Sequence, residues 1–185
     1  MNNTSTVTDA FHSVFRHHPA GVTIITGDPG GEPVALTVSS VISVSAAPPT
    51  IAFSLSEASS SGRALVRAET VVVHFVRRKD MQLARLCATS GSTRFGPEVQ
   101  WTRLPTGEPH YPQVALWFRA AIRGRLPAPG ACLITAELLS ASAAAHDPHL
   151  EDMLVYADRG WHGLHPLADA VHERPFVLAA DAATF

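Results

Sequence analysis

Long apolar runs, blocks of like charge and paired cysteines are all missing from this sequence. No stretch approaches 18 consecutive apolar residues, and the first residues lack a charged and apolar leader, so neither membrane spanning nor export is indicated and the cytoplasm is the expected location. The formal net charge of -2 and the absence of a Lys/Arg run argue against a nucleic-acid or membrane-surface protein. Cys87 and Cys132 lie far apart without a CxxC pattern, which favours two buried free thiols over a disulfide or a metal site.

Several short catalytic motifs are absent as well. There is no GxGxxG, no Walker-type phosphate loop, no HExxH and no GxSxG, so the usual signatures of dinucleotide binding, phosphoryl transfer, zinc catalysis and serine hydrolysis are missing. The chain has ten histidines, but none forms the i, i+4 pair on a helix that a zinc site uses. We therefore interpret the histidines as structural or surface residues and expect no metal site.

The sequence does contain enough apolar material for one core, because 46% of its 185 residues are hydrophobic. About seven strand-like segments with short turns and few helices predict an all-β barrel with peripheral helices. The predicted strands are residues 21–26, 33–45, 50–55, 70–76, 113–126 and 132–142, with a last hairpin at 153–164. The predicted helices are residues 8–18, 62–69 and 79–88. We expect one domain over residues 8–165 and a tail, 166–185, that is either frayed or packed on a partner subunit.

Two segments carry an unusual density of hydroxyl groups. Residues 34–49 read as one strand with Ser and Thr on both faces, ended by a double proline, and the next strand leads into a serine cluster at 54–62. Such hydroxyls, with turn N–H groups, bind phosphate and the polar edge of a heteroaromatic ring, although a plain solvated strand has the same composition. A loop at 89–112 has little periodicity and is long enough to suggest a binding lid; its conspicuous residues are Arg94, Phe95 and Trp101.

The order of these segments resembles one known family. The matching stretches are FRHHPAGVTIIT (15–26), VALTVSSVISVSAAPPTIAFSL (34–55), the serines at 54–61, VVVHFV, RFGPEVQW (94–101) and MLVYADRGWHGL (153–164). Together they are similar to the flavin reductase-like, FMN-binding split-barrel proteins, the reductase components of two-component flavin monooxygenases. The resemblance implies a Greek-key-like split barrel, a homodimer with flavins near the subunit interface, and hydride transfer from NADH or NADPH to FMN or FAD.

The same resemblance implies which residues bind the cofactor. Those expected at the isoalloxazine ring are Thr37, Val38, Ser39 and Ser40, with Ser43 and Val44 beside them. Those expected at the ribityl chain and phosphate are Ser54, Leu55, Ser56 and Ser60. Arg94 and Phe95 are expected to border the flavin from the long loop.

The chain departs from the family pattern at two places. Family reductases commonly have Gly-Asp-His where this chain has Gly130, Ala131 and Cys132, so the histidine beside the nicotinamide site is replaced by Cys132. An asparagine is usual where His74 stands, so His74 is expected in the cofactor site with different hydrogen bonds.

The leading hypothesis is therefore an NAD(P)H:flavin reductase that supplies reduced flavin to a partner monooxygenase. One alternative keeps the flavin but acts directly on an organic substrate without a nicotinamide donor, which the missing histidine favours. Another is a flavin carrier or a non-catalytic dimeric module.

Overall fold

The computed structural model describes residues 3–146 and 152–164. In this part of the chain the helices are α1 (Asn3–His17), α2 (Ser60–Leu65) and α3 (Met81–Ala88), the last preceded by a 3-10 turn at Arg78–Asp80. The strands are β1 (Ala20–Gly21), β2 (Thr23–Gly27), β3 (Val34–Val38), β4 (Ile42–Ala46), β5 (Pro49–Ser56), β6 (Thr70–Phe75), β7 (Thr102–Arg103), β8 (Pro109–His110), β9 (Trp117–Ala128), β10 (Ala131–Ala141), β11 (Leu154–Ala157) and β12 (Gly160–Gly163). A second 3-10 turn lies at Ala143–His146.

The main sheet has seven antiparallel strands in the order β3-β2-β6-β9-β10-β5-β4. Its two edge strands, β3 and β4, are joined by only three residues, 39–41. The path from Val38 to Ile42 spans at most about 14 Å, whereas the edges of a flat seven-stranded sheet would lie about 29 Å apart. The sheet therefore curls into a barrel that is split between β3 and β4, and the predicted all-β barrel with peripheral helices is confirmed.

The prediction of one continuous strand over residues 33–45 is wrong. The chain forms β3 on one edge of the sheet, leaves it at Ser39, and continues as β4 on the opposite edge. The predicted hairpin is correct only for its first part, where β2 pairs with β3 from Thr23 opposite Val38 to Gly27 opposite Val34. The hydroxyls on both faces of this stretch therefore belong to two edge strands and to the residues 39–41 that connect them, and not to one strand.

The core forms on both sides of β2 and β6. One apolar cluster fills the barrel and includes Ile25, Phe53 and Val73. The other lies under α3 and the 95–114 segment and includes Ile24 and Tyr111. Because these two strands are covered on both faces, they need continuous apolar runs, as β6 was predicted to have.

The hairpins in the second half agree with their predictions. At the β9–β10 turn, Gly130 has a φ of 76°, which is the left-handed conformation that glycine adopts most easily. Proline followed by glycine, as in Pro129-Gly130, is typical of such a turn. The turn between β11 and β12 instead uses Asp158 and Arg159, with φ of 46° and 57°, which is the arrangement of a two-residue hairpin.

Helix α1 covers the predicted helix 8–18 except for its last residue, but it begins at Asn3 and its apolar side chains are exposed. Phe11 is 54% exposed and Phe15 60% exposed, and their rings contact each other with centroids 4.5 Å apart. None of the helices in the described ranges is long and apolar enough to cross a membrane.

The long segment 89–112 is not free of structure, because it includes the short pair β7–β8. The tail at 166–185 lies outside the described residues. The domain boundaries at 8 and 165 remain a prediction.

Candidate functional site

The three residues that cross the split line a wide cavity in the described part of the chain. This Ser40 cavity has a volume of about 820 Å³ and lies between the end of α1, the crossing and the β11–β12 turn. Its hydroxyl-bearing lining residues are Ser39, Ser40, Ser54 and Tyr156. The sequence therefore predicted three of the serines that meet here, although they come from two separate elements.

Ser40 is the link that holds the two sides of the split together. Its Oγ accepts a hydrogen bond from the Ser54 N–H at 3.0 Å and donates one to the Ser54 C=O at 3.3 Å. The pairing of β4 with β5 stops at Ile42 opposite Ala52. The Ser40 side chain therefore makes the hydrogen bonds to Ser54 that a neighbouring strand would otherwise make. Ser39 has no hydrogen-bond partner among the described residues, so its hydroxyl is available to a ligand.

A second cavity follows the Ser40 cavity along β3. This Trp161 cavity has a volume of about 260 Å³ and shares Ser39 and Tyr156 with the first, while Thr37, Val38 and Trp161 complete much of its wall. The Thr37 hydroxyl donates to the Ala84 C=O at 2.7 Å, which joins β3 to α3 and leaves this oxygen able only to accept from a ligand.

The third cavity on β3 is cationic. This Arg94 cavity, of about 240 Å³, is lined by Val34 and Ala35 at the start of β3 and by Ser60, Ser61, Ser92, Arg94 and Phe95. The Arg94 guanidinium donates from one terminal nitrogen to the Ser61 Oγ and from the other to the Thr89 C=O at 2.7 Å. Its Nε is buried and has no hydrogen-bond partner among the described residues. A buried unpaired N–H beside several hydroxyls is an incomplete donor set, and an anion would complete it.

Aromatic rings and one histidine hold Arg94 in position. The Tyr111 hydroxyl donates to the Arg94 C=O at 2.9 Å, and the Tyr111 ring stacks on Phe95 with centroids 5.5 Å apart. Tyr111 is in turn fixed by His74, whose Nε2 accepts from the Tyr111 N–H at 3.2 Å and whose Nδ1 lies 3.1 Å from the Ile24 C=O. These partners require the proton on Nδ1, so His74 is neutral, and burial lowers its pKa to about 3.

The structure does not bring His74 to the cavities. The side chain is fully buried and both ring nitrogens are used inside the protein, so it is not available for direct contact with a cofactor. His74 is linked to Arg94 only through Tyr111, whose hydroxyl bonds the Arg94 backbone C=O.

The remaining predicted residues lie in other surroundings. Ser43 and Val44 are exposed on edge strand β4. Leu55 points into the barrel core, while Ser56 accepts from the Ala58 N–H at 3.3 Å and belongs to a different cavity. This Cys132 cavity, of about 550 Å³, is lined by Leu55, Ser56, Glu57, Arg63, Val66, Arg67, Pro127 and Cys132.

Both cysteines are free and buried, as predicted. Cys87 lies 3.5 Å from the Tyr111 hydroxyl, and burial raises its pKa to about 11, so it is a protonated packing residue. Cys132 offers the Cys132 cavity a small thiol where the family pattern would place a histidine.

The cavities on β3 together fit an elongated ligand with a polar-edged ring at one end and an anion at the other. Ala35 and Ser39 are four strand residues apart, or about 13 Å along β3. Hydroxyls and backbone groups of residues 39–41 are available at one end, and the Arg94 guanidinium at the other. Flavin mononucleotide has this form, with an isoalloxazine ring joined through a ribityl chain to a phosphate, so the residues present fit the cofactor implied by the resemblance.

Some residues of this site were not predicted. Ser61 was missed because a local pattern of serines does not show which hydroxyl turns toward Arg94, 33 positions away. Ser92 was missed because its hydroxyl bonds the Leu86 and Thr89 C=O groups and gives no separate signal in the sequence. Ser59, within the same cluster, accepts from the Gly62 N–H at 3.1 Å and caps α2 instead.

Comparisons with known proteins identify the family to which this chain is similar. The family model described as "Flavin reductase like domain" matches residues 15–165. An NADH:FMN oxidoreductase from Rhodococcus qingshengii is 34% identical over 157 residues, which cover 85% of this chain and 82% of that protein. The reductase subunit of a stachydrine N-demethylase from Rhizobium meliloti is 31% identical over 114 residues, 61% of this chain and 49% of that protein. The crystal structure of a flavin reductase domain protein from Arthrobacter sp. FB24 superimposes with a TM-score of 0.80 at 28% identity, covering 89% of this chain and 99% of that one.

Proposed function

This chain belongs to the flavin reductase like domain family, and from that premise we propose that it is an NAD(P)H:flavin reductase that supplies reduced flavin to a partner monooxygenase. The observation that carries the proposal is the row of cavities along β3, with serine hydroxyls at the split of the barrel and the unpaired Arg94 Nε at the far end. The Rhodococcus relative, named for the oxidation of NADH by FMN, supports the same assignment.

When bound, the flavin supplies the site that accepts hydride from the nicotinamide and later gives up both electrons. The residues of this chain hold the flavin in position. We expect Ser39 and the backbone at 39–41 to hydrogen-bond the polar edge of the ring, because Ser40 fixes that backbone to β5. We expect the Arg94 guanidinium, with Ser60 and Ser61, to bind the phosphate by charge-assisted hydrogen bonds.

The open shape of the site supports release of the product. The crossing residue Ser39 is exposed, and the Ser40 cavity opens to solvent between α1 and the barrel. A cofactor held mainly at its phosphate and one ring edge can exchange, as a reductase that passes reduced flavin to another enzyme requires. The Rhizobium relative, which is named as the reductase subunit of a demethylase, supports a partner oxygenase for this chain.

The same proposal includes a homodimer. Two apolar surfaces are uncovered in the single chain, the Phe11 and Phe15 face of α1 and the edge strand β4, where Ile42 is 60% exposed. Both border the split, and apolar area of this kind on a soluble fold marks an association surface. We expect the purified protein to sediment as a dimer, and a Phe11→Glu, Phe15→Glu variant to sediment as a monomer; a monomeric unmodified protein would exclude the dimer.

The activity is tested by mixing the purified protein with FMN or FAD and with NADH or NADPH, and following the loss of reduced nicotinamide absorbance. The proposal predicts oxidation well above the rate with free flavin alone. No oxidation above that background with either nucleotide, in a protein that binds flavin, would reject reductase activity and favour direct action on an organic substrate. A colourless protein that gains no thermal stability from added flavin would reject every flavin-dependent function.

A further inference from the structure

The Ser40 cavity carries positive charge in addition to its hydroxyls. Two arginines and two histidines line it, namely His12, Arg16, His18 and Arg159, and none of its lining residues is Asp or Glu. The chain as a whole has a formal net charge of -2, so two arginines in one cavity are a local concentration of positive charge. Cations without a carboxylate beside a proposed cofactor ring indicate an anionic ligand.

The two arginines are held near each other by the backbone. Arg16 belongs to the last turn of α1, and its C=O accepts a hydrogen bond from the Asp158 N–H at 2.6 Å. Arg159 follows Asp158 in the tight β11–β12 turn. The end of α1 and the turn therefore present both guanidinium groups to one cavity.

Neither guanidinium is neutralised by a partner among the described residues. Arg103, Arg119 and Arg123 each pair with a carboxylate at 2.6 to 2.8 Å. By contrast, the carboxylate nearest in sequence to Arg159, that of Asp158, lies 3.7 Å from the His17 ring and does not line the cavity. The donors of Arg16 and Arg159 remain available.

The position of the cavity indicates which molecule carries the anion. This step rests on the proposed function, in which the flavin phosphate binds at Arg94, at the opposite end of β3 from Ser39 and Ser40. The anion at the Ser40 cavity then belongs to the nucleotide that meets the ring end of the flavin, which is the hydride donor. NADH and NADPH share a pyrophosphate and differ by one phosphate on the adenosine ribose. The partners of that ribose distinguish the two donors, and the Ser40 cavity offers arginines and no carboxylate. A carboxylate commonly accepts from the free ribose hydroxyl of NADH, whereas arginine binds the extra phosphate of NADPH.

We propose that the side of the Ser40 cavity formed by α1 and the β11–β12 turn binds the ribose phosphate of NADPH through Arg16 and Arg159, beside the flavin ring at residues 39–41, so that NADPH is the preferred hydride donor of this chain. The preference would distinguish it from the Rhodococcus relative, whose name specifies NADH.

The test is the ratio of kcat/KM for NADPH to that for NADH, measured with FMN at saturation. We expect a ratio well above one for the unmodified protein, and a fall of about tenfold or more in the Arg16→Gln, Arg159→Gln variant, because two charge-assisted contacts to phosphate from exposed arginines are lost. The loss should appear chiefly in KM for NADPH. The matched control is Arg78→Gln, which removes the same charge from an exposed residue outside the cavity and should leave the ratio unchanged.

Each contrary result has a separate meaning. A preference for NADH, or an unchanged ratio in the double variant, would overturn the inference while the reductase function stands. No oxidation of either nucleotide would reject the proposed function itself. A further experiment compares FMN with FAD as the acceptor. The double variant could lose affinity for FAD but not for FMN, with no change in the ratio of NADPH to NADH. In that case the two arginines bind the second phosphate of FAD, and the inference fails.

Discussion

Replacing Arg94 with methionine should separate the anion end of the site from its ring end. Methionine keeps a similar length and removes every donor, so the Nε and both terminal nitrogens are lost from the Arg94 cavity. FMN and riboflavin share the ring and ribityl chain and differ only in the phosphate. The variant should therefore bind FMN more weakly and bind riboflavin about as well as the unmodified protein.

The size of the effect follows from the burial of the side chain. Hydrogen bonds to a charged group contribute about 1.5 to 3 kcal/mol, and because Arg94 is half-buried we take the lower part of that range, about 1.5 to 2 kcal/mol. This corresponds to a rise of about 10- to 30-fold in the Kd for FMN. Titration of each ligand, followed by quenching of flavin fluorescence, measures both constants under the same conditions.

Two comparisons make the result decisive. Arg63→Met removes a guanidinium that lines the Cys132 cavity instead, and it should leave the FMN-to-riboflavin ratio unchanged. Folding is checked by thermal unfolding, since the Tyr111 hydroxyl bonds the backbone of Arg94 and survives the substitution. Equal weakening of FMN and riboflavin by Arg94→Met, or a selective loss of FMN in Arg63→Met, would refute the assignment of the phosphate.

Three further predictions concern the ring end, the buried histidine and the missing catalytic residue. Ser40→Val removes both hydrogen bonds to Ser54 and should weaken FMN and riboflavin equally, by about 1 to 3 kcal/mol in a flavin titration; unchanged affinities would place the ring elsewhere. Burial holds the pKa of His74 at about 3, below its unfolded value near 6.5, so the folded chain binds fewer protons than the unfolded chain. The free energy of unfolding should therefore fall as the pH drops from about 6.5 toward 3, by at most about 1.4 kcal/mol per pH unit. Urea midpoints across this range should show a shallower slope in His74→Asn, and identical slopes would contradict the assignment. Cys132→His should raise turnover with reduced nicotinamide; a flat rate would show that Cys132 is not limiting.

Most of the sheet could be predicted because its signals are local. The run of β-branched residues in β6, the turn residues between β9 and β10 and the paired apolar runs of the last hairpin each lie within a few positions of one another. The break after Val38 could not be predicted from pattern, since Ser39, Ser40 and Val41 continue the same mixture of hydroxyls and β-branched residues without Gly or Pro. What ends β3 there is the long-range contact of Ser40 with Ser54 on the other edge of the barrel.

Only part of the candidate site was predicted, because several of its residues meet only through long-range contacts. Ser39, Ser40, Ser54 and Arg94 were named from a resemblance in motif order, and the structure places them along one strand and its neighbours. His74 was assigned to the cofactor site because the resembled family usually has an asparagine at that position, and sequence alone does not show that both ring nitrogens of His74 are used inside the protein. Arg16 and Arg159 gave no signal, because they converge only when the end of α1 meets the turn at Asp158.

The central claim is that the row of cavities along β3 holds the flavin with its ring at the split and its phosphate at Arg94. A crystal structure of the protein with FMN tests it most directly. The account predicts the polar edge of the isoalloxazine ring against residues 39–41 and Ser54, and the phosphate within hydrogen-bonding distance of the Arg94 guanidinium. A flavin found in the Cys132 cavity, or a phosphate remote from Arg94, would contradict it.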